Sequence, residues 1–217
     1  MSIQTPQAPD ERLNAPATMR NRAPILEVLT RVLPAEGRVL EVAAGTGEHA
    51  VYFAPSLAPR IWLPSEPDPA LRASIAAWAR ACPSENLRAP IALDARDAPW
   101  PVEDTPPAPA ISAVVCINMI HIAPWAACAG LMAGAGRILP AGGVLFLYGP
   151  FLRDRVPTAP SNLAFDESLR ARDPQWGLRD ITEVAREAAI HGLALTETVA
   201  MPANNVSLVF SRNDHPA

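Results

Sequence analysis

Arg38-Val-Leu-Glu-Val42 runs without a spacer into Ala43-Ala-Gly-Thr-Gly47, and this junction constrains the fold more than any other stretch of the chain. Residues 38 to 42 have the apolar character of a strand. Gly45 and Gly47 give the backbone the freedom for a tight turn, and a helix follows over about 47 to 57. A strand that turns straight into a helix is covered by that helix, and the next strand then lies parallel to the first.

The rest of the chain repeats the alternation. Ile25, Val28, Leu29, Val32 and Leu33 recur at helical spacing between Pro24 and Pro34. Ile61 to Leu63 reads as a second strand, and Asp68-Pro69 supplies an N-cap with proline at N1 for a helix through about Ala81. Ile91 to Leu93 reads as a third strand. Prolines 99, 101, 106, 107 and 109 then oppose any long helix. The apolar run Ile111 to Ile117 suits a central parallel strand covered on both faces. A helix over about 124 to 139, a strand over 144 to 148, a helix over 178 to 190 stopped by Gly192, and strands over 193 to 200 and 206 to 211 complete the pattern.

The expectation is an α/β fold with a doubly wound, seven-stranded, mostly parallel sheet whose last strand is antiparallel. Residues 19 to 217 form a single domain, preceded by a flexible tail at 1 to 18. The segment at about 149 to 177 reads as an irregular polar insertion, long enough to serve as a lid.

Composition narrows the function classes. With 49% hydrophobic and 18% charged residues and a net charge of −4, the chain is an ordinary globular one, and its scattered arginines form no basic stripe for nucleic acid. Cys82, Cys116 and Cys128 lack CxxC or CxxH neighbours, which indicates neither a disulfide framework nor a metal site and suggests reduced, buried thiols. Residues 105 to 136 carry no formal charge, but Pro106, Pro107, Pro109, Asn118, His121 and Pro124 interrupt them, so a buried strand and helix are expected rather than a membrane span. Residues 1 to 6 lack the pattern of a secretory signal, and a cytoplasmic location is expected.

Ligands of doubly wound sheets bind beyond the carboxyl ends of the strands. That rule selects the Gly turn, Glu66, Asp94-Ala95, Asn118 to His121 and Gly149 onward. Gly45 and Gly47 let backbone approach a ligand, yet Gly45-Thr-Gly-Glu-His-Ala50 also fits the dinucleotide pattern GxGxxA. Glu41 favours another reading. A carboxylate at a strand end is costly to bury unless hydrogen-bonded or neutralised, whether by backbone amides or by a cationic ligand. Glu66 stands where an acid accepts from ribose hydroxyls, and Asp94 where one accepts from an adenine amino group.

Val39-Leu-Glu-Val-Ala-Ala-Gly-Thr-Gly47, Glu66, Asp94-Ala95 and Leu139-Pro-Ala-Gly-Gly143 resemble, in order and spacing, the motifs of class I S-adenosylmethionine-dependent methyltransferases. Ala43 departs from the pattern, since many relatives carry glycine there; a negative φ would accommodate its methyl group. From about Asn21 onward the chain also resembles a methyltransferase-like family known as domain of unknown function 938. That resemblance rests on Arg22-Ala-Pro-Ile-Leu26, Asn118-Met-Ile-His121, Tyr148-Gly-Pro-Phe151, Ala159-Pro-Ser-Asn162, Arg172-Asp-Pro-Gln-Trp-Gly177 and Met201-Pro-Ala-Asn-Asn205.

The resemblance implies a Rossmann-like fold and S-adenosylmethionine as cofactor, held by Glu41, Ala43, Gly45, Gly47, Glu66, Asp94, Ala95 and Asn118. His121 is the candidate general base. Tyr148, Phe151, Asn162, Arg172, Trp176, Asn204 and Asn205 are candidates to hold a small polar acceptor. A nicotinamide-dependent oxidoreductase and a cofactor-binding protein without turnover are the alternatives.

Overall fold

Arg38–Val42 (β1), Ile111–Ile117 (β3) and Val144–Gly149 (β4) are apolar at nearly every position because both of their faces are covered. Val39, Ala113, Val115, Phe146 and Tyr148 point into one core, and Leu40, Val42, Val114, Leu145 and Leu147 point into the other. The computed structural model describes residues 11–154 and 156–213. Of the tail expected at 1 to 18, residues 1 to 10 lie outside the described residues.

The main sheet has the order β2-β1-β3-β4-β8-β7, with β2 at Ile61–Pro64, β7 at Leu193–Met201 and β8 at Asn205–Arg212. β2, β1, β3 and β4 pair in parallel, while β8 is antiparallel to both β4 and β7. Helices α1 (Thr18–Val32) and α2 (Glu48–Ser56) cover one face. α5 (Trp125–Ile138) and α7 (Ile181–Ile190) cover the other, together with Val102 of the short α4 (Pro101–Asp104). α3 (Pro69–Ala81) begins at Asp68, whose side chain accepts from the Ala70 N–H at 2.7 Å, the expected cap.

The main sheet therefore has six strands, not seven. The strand expected at 91 to 93 is reduced to isolated bridges, Trp62↔Leu87 and Ser65↔Ile91. Pro64 offers no N–H to this neighbour and Pro90 none in return, so the ladder cannot continue between the two bridges. A second small sheet pairs β5 (Phe151–Leu152) with β6 (Arg179–Asp180). The segment 149 to 177, expected to be irregular, contains a 13-residue helix, α6 (Pro160–Arg172). Cys116 and Cys128 are buried as expected, but Cys82 is exposed just past α3.

Residues 11 to 17 are laid across α3 and the Gly turn. Leu13 donates its N–H to Ser74 Oγ at 2.9 Å and accepts from Trp78 Nε1 at 2.8 Å, and the Ala15 N–H bonds the Glu48 carboxylate. Arg12 packs over the Trp78 ring, and Glu11 pairs with Arg80. Among the described residues, no helix is long and apolar enough to cross a membrane.

Candidate functional site

Three strand ends and one connecting turn form a continuous rim. β1 opens into Ala43 to Gly47, β2 into Ser65-Glu66, β3 into Asn118 to His121, and Asp94-Ala95 lies on the turn after Leu93. Gly45 and Gly47 adopt φ of 57° and 95°, the left-handed region that their lack of Cβ makes available. They serve different ends. A Cβ on Gly47 would meet the Ile75 Cα at 2.7 Å, so this glycine lets α3 pack against the turn, whereas a Cβ on Gly45 would meet nothing within 4 Å. Ala43 has φ of 57°, not the negative value expected, and so bears the strain that a glycine would avoid.

Glu66 is buried, and its carboxylate accepts from the Gly45 N–H at 3.0 Å and the Asp68 N–H at 3.3 Å. Desolvation raises its pKa, opposed by these bonds. Glu41 lies one layer deeper, 1% exposed, and accepts from Trp62 Nε1 at 2.7 Å. Its partner within the chain is an indole, where the sequence left backbone amides or a cationic ligand open. Burial pushes its pKa up to about 8, partly offset by the Trp62 bond.

A cleft of about 220 Å³ opens beside the Gly turn. Ala43, Asp94, Ala95, Met119, Ile122 and Trp176 are among its walls. Asp94 accepts from both the backbone N–H and the guanidinium of Arg96, which holds its carboxyl below the usual range. The bridge between Ser65 and Ile91 places this turn next to Glu66.

Farther along the rim, Asn118, His121 and Gly149 converge. Asn118 takes φ of 59°, and its N–H bonds the Tyr148 carbonyl at 2.8 Å, extending the β3–β4 pairing by one step. His121 is 4% exposed and packs edge-on to Phe165 with ring centroids 5.8 Å apart. A Cβ on Gly149 would approach its ring to 3.2 Å. Burial lowers the imidazole pKa to about 4, with nearby Arg179 adding to the effect, and Nδ1 has no hydrogen-bond partner among the described residues.

The seven residues expected to gather around an acceptor do not converge on one place. Phe151 is buried in the core below the rim, because β5 pairs with β6 there. Arg172 turns back along α6 to Ser168. Asn162 donates to the Asn204 carbonyl at 3.0 Å and Asn204 to Ser161 Oγ at 3.3 Å, fastening α6 to the β7–β8 turn, while Asn205 bonds carbonyls of its own turn. Trp176 stands with Asp94 in the cleft.

Tyr148 sits at the end of β4, where burial raises its hydroxyl pKa against a hydrogen bond from Asn21. Asn21 Oδ1 lies 2.8 Å from His49 Nε2, and His49 stacks on Phe53 at 5.2 Å, so α1, α2 and β4 share one buried polar link. Burial lowers the His49 pKa to about 4. Sequence reasoning passed over Asn21 and His49. Their signal was a polar residue on the apolar side of each helix.

The fold is that of methyltransferases of known structure. An O-methyltransferase family protein from Burkholderia thailandensis superposes with TM-score 0.73 at 15% identity, over 91% of this chain and 57% of that one. Human N-acetylserotonin methyltransferase, solved in complex with S-adenosylmethionine, gives 0.71 at 13% identity, over 91% and 53%. A putative methyltransferase from Bacillus halodurans gives 0.67 at 14% identity, over 89% and 99%. The chain thus spans little more than half the length of the first two and nearly all of the third. At these identities the likeness establishes the fold. The model of a protein family of unknown function, DUF938, matches residues 12–212, nearly the whole chain, and the chain belongs to that family.

Proposed function

We propose that the chain is an S-adenosylmethionine-dependent methyltransferase acting on a small polar metabolite. The observation that carries this reading is the alignment of the Gly45 turn, the Glu66 carboxylate and the Asp94 cleft along one rim, at the ends of β1 and β2 and the turn after Leu93. Gly45 leaves open space where a ligand backbone would pass, Glu66 offers acceptors to ribose hydroxyls, and Asp94 offers one to an exocyclic amine. Bound there, S-adenosylmethionine supplies an electrophilic methyl group.

Transfer of that group is an in-line displacement, so the protein contributes mainly by alignment, worth roughly 7–11 kcal/mol in well-oriented systems. His121 is the base candidate on the acceptor side, beside Asn118. An imidazole with pKa about 4 is neutral at physiological pH, so it is ready to take a proton but is a weak base. It suits an acceptor whose proton becomes acidic as the new bond forms, such as a hydroxyl or amine that turns cationic on methylation.

Isothermal titration calorimetry with S-adenosylmethionine, S-adenosylhomocysteine and NAD(H) tests the cofactor. Gly45→Asn fills the open space with a residue that tolerates a left-handed φ. The expected outcome is a folded variant with at least tenfold weaker adenosyl binding. Tight NAD(H) binding without any adenosyl response would overturn the reading in favour of an oxidoreductase.

A further inference from the structure

Trp176 belongs in sequence to the segment expected to hold the acceptor, yet its side chain lines the cleft with Asp94 and Ala95. The turn that carries it is built rigidly. Asp173 accepts from the Gln175 N–H through Oδ1 at 2.8 Å and from the Trp176 N–H through its carbonyl at 2.9 Å. The Gly177 N–H bonds the His121 carbonyl at 3.0 Å, and the Leu178 N–H bonds Asp166 Oδ1 at 2.7 Å. Arg179 then joins this turn to the end of β3, donating to the carbonyls of Ile120, Ala123 and Gln175.

These bonds fix the main chain that presents the indole to the cleft. Ile122, 43% exposed, lines the same cleft. Two apolar side chains lining one cleft with the Asp94 carboxylate suit a flat heteroaromatic ring bearing an amino group. The apolar walls take its faces and Asp94 its N–H edge.

We infer that Trp176 forms the outer wall of the pocket for the adenine of the cofactor, so the 149 to 177 segment recognises the donor as well as shaping the acceptor side. The inference rests on the adenosyl reading above. It also gives the Gly177 bond to His121 a purpose, since the turn that holds the base of one ligand holds the main chain of the residue that faces the other.

Trp176→Ala should weaken S-adenosylhomocysteine and 5′-methylthioadenosine by the same factor, about 5- to 150-fold, as expected for loss of an aromatic stacked on a base. Trp176→Phe should keep most of the affinity, and circular dichroism and thermal melts should show both variants folded. Tryptophan emission of the wild type should change on adding S-adenosylhomocysteine, and that change should be absent in Trp176→Phe. Wild-type binding matched by Trp176→Ala would overturn this inference and leave the cofactor reading intact. Equal losses in the Ala and Phe variants would overturn the stacking role. If the wild type binds neither adenosyl compound, the cofactor reading falls and this inference with it.

Discussion

Ala43 holds its methyl group in a left-handed turn, φ 57°, directly beside the cleft. For a residue with Cβ that conformation costs about 1–2 kcal/mol, while glycine returns about 0.5–1 of this through the greater freedom of its unfolded chain. Ala43→Gly should therefore stabilise the protein by about 0.5–1 kcal/mol, read as a higher urea midpoint with an unchanged m-value. A destabilised variant would mean that the methyl group is packed rather than tolerated. The glycines at 45 and 47 were legible as turn formers in the sequence, but their separate tasks were not. Which one meets a helix and which one faces open space depends on where α3 lies, and no local pattern encodes that.

Among the elements, those with a strong local signal were read correctly. β1 and β3 have the expected limits because their continuous apolar runs are buried on both faces, and α3 starts where Asp68 and Pro69 place it. α6 was missed because it has almost no apolar stripe; of its residues only Asn162 and Leu169 are buried. Its place is set from outside, by Asn162 and Asn204 at its first turn and by Asp166, at mid-helix, holding Leu178. The strand expected at 91 to 93 failed for the opposite reason, since a local apolar signal could not overcome two prolines in the pairing. That Trp176 lines the cleft with Asp94 was not legible in the sequence, because Arg179, which ties its turn to the end of β3, acts through residues more than fifty positions away. A helix held by so few side chains should open easily. We expect α6 amides to exchange with deuterium faster than those of α5, and Leu169→Ala, costing about 2–5 kcal/mol at a fully buried site, to unfold α6 before the sheet. Uniform exchange across α5 and α6 would contradict this.

For the whole molecule, Glu41, His49 and His121 carry the largest shifts between pH 4 and 8 and shape stability against pH, with Glu66 raised in the same direction as Glu41. Glu41, raised to about 8 from 4.5, favours the folded chain fully below about pH 4.5, and that contribution is lost as pH climbs through 8. His49 and His121, lowered to about 4 from 6.5, contribute fully above pH 6.5 and lose their contribution as pH falls toward 4. Each group has a limiting slope of about 1.4 kcal/mol per pH unit, so between 4.5 and 6.5 the two histidines outweigh Glu41. Stability should peak near pH 6.5, measured as urea midpoints from pH 5 to 8.5. Glu41→Gln, whose amide oxygen can still accept from Trp62, should flatten the fall between 6.5 and 8 and leave the acid side unchanged.

The sheet order has a further consequence during synthesis. β4, buried along its whole length, pairs on one side with β3 and on the other with β8, which is made more than fifty residues later. Until residues 205 to 212 have left the ribosome, the nascent chain carries an open apolar edge at the centre of its sheet, with the hairpin that caps it still to come. Such an edge is where a growing chain pairs with its neighbours. Residues 205 to 212 are thus the stretch on which this sheet's escape from aggregation depends, and a stall before them would leave the exposed edge of β4 in need of a chaperone.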